Sequence, residues 1–152
     1  MKESICNTIE ITCTPEKIYG YITQPWLWHE WHPNSKSAQA KNSSLKKGDT
    51  FDEEIELQPL SPLPLKMRRK TRYQVVAATP STHWCVKGKM SGGRLKINYE
   101  FKPSKAGVTF TRTLTYEATG INRVISPFLR SRMREMSLLA LSNLKAKLEA
   151  VA

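Results

Sequence analysis

The stretch Pro127 to Val151 constrains the fold most, because its period is that of a long amphipathic helix that needs an apolar surface to lie on. At about 100° per residue, Leu129, Met133, Met136, Ala140, Leu144, Leu148 and Val151 share one face, with Leu141 at its edge. Glu135, Ser142, Lys145 and Glu149 fall opposite. Ser126-Pro127 predicts the start, since proline's missing N–H costs little in a first turn. Ser137 and Ala140 are small members of the buried side and mark where the helix leaves space.

The rest of the chain supplies the surface. Residues 4–13 alternate, with Ile5, Ile9, Ile11 and Cys13 one way and Cys6, Thr8, Glu10 and Thr12 the other, as in a half-buried strand. Thr14-Pro15-Glu16-Lys17 reads as a helix start: an N-cap, a proline at the first position and an acid in the first turn. Ile18, Tyr21 and Ile22 carry that helix as far as Pro25. Residues 24–33 are dense in tryptophan and predict a second short helical turn, followed by a short strand near Ser37 to Ala40. Strands then recur, marked by Phe51, Ile55 and Leu57, by Leu65, Met67, Tyr73 and Val75, and by Trp84, Val86 and Met90. Leu95, Ile97, Tyr99 and Phe101 mark the next, and Val108, Phe110, Leu114 and Tyr116 the last, whose other face is a threonine row, Thr109 to Thr115. Pro59, Pro62 and Pro64 make a stiff loop, and tight turns join the later strands. One α+β domain over residues 1–152 follows, a curved antiparallel sheet of roughly six to seven strands around the C-terminal helix, with two short helices after the first strand.

Ile9 to Thr23, with its strand and helix start, resembles the opening of the START/Bet v 1-like superfamily, within it the polyketide cyclase/dehydrase and lipid-transport group. Trp28-His29-Glu30-Trp31-His32-Pro33 is similar to that group's tryptophan-rich second helix, and Lys47-Gly48-Asp49-Thr50-Phe51 to the start of a central strand. The resemblance spans nearly the whole chain in element order. It implies a helix-grip fold with an apolar cavity between sheet and terminal helix, and either binding or transport of a lipid- or polyketide-like molecule, or cyclase/dehydratase chemistry.

Strand phase predicts which polar residues face inward. Glu53, Arg69 with Thr71, Arg112 and Asn7 fall on otherwise apolar phases. An ionised group facing an apolar interior is costly unless paired, so Glu53, Arg69 and Arg112 are the candidates for a polar patch that orients a ligand or acts on it. A satisfied internal ion pair, a strand end reaching water or a bulge would place such residues equally well. Tyr73, Tyr99 and Tyr116 share the inward phase and are alternative acid/base groups or cavity wall. The expected wall comprises Phe51, Ile55, Met67, Tyr73, Trp84, Val86, Ile97, Tyr99, Phe110 and Leu114 from the sheet, and Met133, Met136, Ser137, Ala140 and Leu144 from the helix. Residues 59–65, the Gly92-Gly93 turn and the segment before the terminal helix are expected rims.

His29 and His32 lack a third ligand at metal-binding spacing, so no metal and no cofactor is expected, and the histidines read as turn caps beside tryptophans that close one end of the sheet. There is no Gly-x-Ser-x-Gly motif and no phosphate-cradling glycine loop. Cys6, Cys13 and Cys85 read as buried or partly buried free thiols in a reducing, cytoplasmic setting, and Met1 to Ser4 carries no apolar leader. The formal net charge of +11 has a pattern. Lys66, Arg68, Lys70 and Arg72 share one strand's outward phase, Lys87 and Lys89 the next, and Arg94 and Lys96 the next again. Neighbouring strands would make this a continuous positive face, solvated or facing an anionic membrane surface or an acidic carrier protein; a third reading of the chain is an interaction module whose cavity is filled by side chains and whose basic face carries function. Nucleic acid ranks lowest, because Gln74 and Asn98 stand where stacking aromatics would be needed.

Overall fold

The computed structural model describes residues 2–57, 66–119 and 122–150. In chain order it forms β1 (Lys2–Ile11), α1 (Pro15–Ile22), a 3-10 turn (Pro25–Glu30), β2 (Ser35–Ala40) and β3 (Thr50–Leu57). These are followed by β4 (Met67–Thr79), β5 (His83–Met90), β6 (Gly93–Ser104), β7 (Gly107–Ala118) and α2 (Asn122–Glu149). The alternation becomes one seven-stranded antiparallel sheet in the order β1-β7-β6-β5-β4-β3-β2. Its inner face packs on α2, whose Met136, Ala140, Leu141, Leu144 and Leu148 are buried, in the helix-grip arrangement.

Local chemistry sets the junctions. Thr14 caps α1, its side chain accepting from the Lys17 N–H at 3.2 Å. The Trp28 indole donates to the Ile22 carbonyl at 2.7 Å and anchors the 3-10 turn under the sheet. The β6–β7 turn closes against the end of β1. Gly107 there has φ +144°, and a Cβ at that position would lie 2.6 Å from the Ile11 carbonyl oxygen, so glycine alone fits. α2 is tied to β1 at its far end, where Lys145 donates to the Glu10 carbonyl at 2.7 Å and Glu149 accepts from the Thr12 N–H at 2.9 Å.

Three expectations need correction. α2 begins at Asn122, not at Ser126-Pro127; proline's fixed φ is a helical one, so it removes a hydrogen bond from the ladder without forcing the helix to start there. Cys6 is exposed rather than buried, because it lies on the outward phase of β1, where the Thr113 hydroxyl donates to its sulfur at 3.4 Å. The register of β4 against β5 shifts between Val75 and Ala77, a bulge that breaks the simple alternation there. The expected rim at residues 59–65 and the side chains of Met67 and Leu129 lie outside the described residues.

Candidate functional site

The inner face carries two different environments. One is a packed aromatic layer. Phe51 stacks on Tyr73 at 4.8 Å between ring centroids and Trp84 on Tyr99 at 5.5 Å, while Trp28 meets Phe51, Tyr73 and Trp84 edge-on. Phe110 and Phe101 continue the layer beyond Tyr99. The space expected between sheet and helix is largely filled here, so Phe51, Trp84, Val86 and Phe110 are core and do not line the cavity. Gly88 admits this packing, since a Cβ there would sit 2.7 Å from the Tyr73 ring.

Beside that layer lies a partly open cavity of about 50 Å³, room for a few waters or one small polar group, since a water needs roughly 10–15 Å³ by this measure. Glu53, Ile55, Tyr73, Ile97, Tyr99, Arg112, Leu114, Met133 and Ser137 line it. Met136, Ala140 and Leu144 are buried in the helix–sheet contact instead. Arg69 is not at the cavity; its guanidinium turns back to donate to the Arg68 carbonyl at 2.9 Å. Six further residues line the cavity that the expected wall did not include: Trp28, Trp31, His32, Asn34, Ser35 and Leu95. All but Leu95 come from the irregular stretch around the 3-10 turn, where no period assigns a phase. The available signal was the density of Trp and His in that stretch; Leu95 was legible as an inward residue of β6.

The polar members meet inside the fold. The Tyr73 hydroxyl donates to Glu53 Oε1 at 3.1 Å, and the Ser35 hydroxyl lies beside the same carboxyl without completing a hydrogen bond of good geometry. Burial pushes the Glu53 pKa up to about 7, with Ser35, Tyr73 and Arg112 opposing that rise. Arg112, directly opposite Tyr99 across β6–β7, donates from Nη1 to Ser137 Oγ on α2 at 3.1 Å. No carboxylate lies within ion-pair distance of it among the described residues. Tyr99 is pushed up to about 12 by burial, which Arg112 partly offsets. His32 keeps part of its surface open, but its imidazole is desolvated and faces Arg112, and its pKa falls to about 3. Its Nδ1 accepts from the Asn34 N–H at 3.2 Å, so the neutral ring carries its proton on Nε2. The histidine caps a turn, as expected, and also borders the cavity.

Among the described residues, three polar atoms of the lining complete no hydrogen bond of good geometry: Arg112 Nε, Trp31 Nε1 and Ser35 Oγ, although the Tyr99 hydroxyl lies beside the Arg112 guanidinium. Two are obligate donors, so the cavity is built to receive an oxygen acceptor. Among the described residues no three of His, Cys, Asp or Glu converge as metal ligands.

The model of the polyketide cyclase / dehydrase and lipid transport family matches residues 3–149. The chain belongs to this family. A START superfamily protein from Mycobacterium smegmatis has the same fold at a TM-score of 0.75 and 12% identity, covering 98% of this chain and 99% of its own. A protein from Thermus thermophilus superposes at 0.73 with 15% identity and 99% coverage of both chains. The di-domain ARO/CYC protein BexL, from the BE-7585A biosynthetic pathway, matches at 0.71 and 15% identity over 97% of this chain and 50% of its own. At these identities the likeness shows the fold. A comparison with curated proteins finds no significant match. No helix among the described residues is long and apolar enough to cross a membrane.

Proposed function

We propose that this family member binds a small amphipathic molecule between sheet and terminal helix, with an oxygen-bearing group of the ligand on Arg112. Family membership supports a hydrophobic ligand. The observation that carries the polar part is the buried guanidinium of Arg112, which has an unpartnered Nε and borders the same cavity as the unpartnered Trp31 indole N–H. The cavity volume suits that polar group alone. The apolar part of the ligand takes the side of Leu95, Ile97 and Leu114 by displacing Met133, a half-buried, flexible side chain on α2. Native mass spectrometry of freshly purified protein, followed by organic extraction, tests this. The expected result is a retained oxygen-bearing apolar molecule that Arg112→Leu releases. Retention and selectivity unchanged in both Arg112→Leu and Glu53→Gln would refute it.

One observation favours a second, catalytic reading of cyclase or dehydratase type. Glu53 sits in the cavity with a pKa near neutrality, where a carboxyl serves as general base and acid. In this reading Glu53 takes a proton from the carbon beside a ligand carbonyl and Arg112 holds the resulting enolate oxygen. Turnover of the extracted ligand, lost in Glu53→Gln and with a pH inflection near the Glu53 pKa, distinguishes it from binding alone.

A further inference from the structure

The outer face of the sheet carries a second concavity, whose lining shares only Tyr73 and Leu95 with that of the cavity. Side chains there are matched to their neighbours over most of its width. β3 sets Asp52, Glu54 and Glu56 directly opposite Arg72, Lys70 and Arg68 of β4, and ion pairs form among them, Arg68 to Glu56 at 3.1 Å and Arg72 to Asp52 at 3.6 Å. β1 and β7 meet in a threonine ladder, Thr8 to Thr111 at 3.1 Å. The far half of β5–β6 is also neutralised, with His83, Asn98 and Glu100 in one hydrogen-bonded chain.

One end of the sheet breaks this pattern. Register places Lys89 opposite both Arg72 and Arg94, and Lys87 opposite Lys96. Directly opposed like charges destabilise an antiparallel pair. Among the described residues, Lys87, Lys89, Arg94 and Lys96 have no carboxylate within ion-pair distance. With Lys2 and Arg72 they line an open groove of about 690 Å³, where the lining contains one acid, Glu117. All six cations are exposed.

The geometry points to a binding site for a compact polyphosphate, a small molecule carrying two or more linked phosphate groups. The volume is that of a small-molecule site. Several exposed cations on three adjacent strands concentrate positive potential into a concave surface, which a dense, multiply charged anion meets simultaneously. A flat bilayer would touch only the rim of such a groove. A single-stranded nucleic acid would find no exposed aromatic platform in it, because the two aromatic residues of the lining, Tyr73 and Tyr116, are buried and the uncharged outward positions are Thr50, Gln74 and Thr115. An acidic peptide would find no free strand edge, because β4, β5 and β6 are paired on both sides.

Isothermal titration of inorganic tripolyphosphate into the full chain tests the assignment, with Lys87→Gln/Lys96→Gln and Lys89→Gln/Arg94→Gln as groove variants. Lys41→Gln/Lys105→Gln removes the same charge from exposed positions outside the groove. Saturable binding is expected, weakened about tenfold or more in either groove variant and less than about twofold in the control. The groove variants relieve repulsion and should melt no lower than wild type, so a loss of binding is not a loss of folding. Equal weakening in groove and control variants, no saturable binding, or binding of anionic vesicles or an RNA oligomer that tripolyphosphate does not displace would each overturn the proposal.

Discussion

Glu53 offers a direct test of the electrostatics of the cavity. The residue is 5% exposed and its pKa stands at about 7, against an ordinary carboxylate value near 4.3 in the unfolded chain. An acid with a raised folded-state pKa contributes stability that is fully present below the unfolded value. That contribution is lost as pH rises through the folded value, because ionisation is then easier in the unfolded state. The full loss is about 3.5–4 kcal/mol, most of it between roughly pH 5 and pH 8. Glu53→Gln keeps the shape and cannot ionise. Urea denaturation of both proteins across that range should therefore show the glutamine variant gaining about 2–3 kcal/mol relative to wild type as pH rises. The comparison matters because His32 acts in the opposite sense. Its lowered pKa gives stability present above its unfolded value of about 6.5 and lost as pH falls toward 3, so wild-type stability alone mixes the two. A flat difference between the proteins would refute the reasoning. It would mean that Glu53 stays ionised throughout and that Arg112 is neutralised by it, leaving no buried positive charge for a ligand.

Ser137→Ala removes the acceptor of Arg112 Nη1 and should cost about 1–3 kcal/mol in the same assay; a change within error would show that the guanidinium finds another acceptor. Gly107→Ala sets a Cβ against the Ile11 carbonyl at a positive φ and should lower stability by about 2 kcal/mol or more, seen as a lower thermal midpoint; an unchanged midpoint would contradict the close approach of the β6–β7 turn to β1.

The fold was legible because its signals are local and repeated. The threonine row of β7, the alternation of Leu95, Ile97, Tyr99 and Phe101, and the periodic face of α2 each state a facing direction, and their order admits few architectures. Glu53 and Arg112 were legible for the same reason, as charges on apolar phases. Arg69 shows the limit of that reasoning: it shares the inward phase, yet its guanidinium turns back along its own strand. His32, Trp31 and Ser35 escaped it because they lie between regular elements or at the very start of one, where neither period applies.

By itself, then, the sequence determined which side chains face inward, which outward, and in what order the strands follow. Only the tertiary structure decided the distances. Alternation sets direction but not volume. The fit of Phe51, Tyr73, Trp84, Tyr99 and Trp28 against one another decides that most of the interior is filled and that a small, mainly apolar cavity remains beside Arg112. On the outer face the basic rows were visible along single strands. Their meeting as opposed like charges depends on cross-strand register, set by hairpin geometry and core packing together.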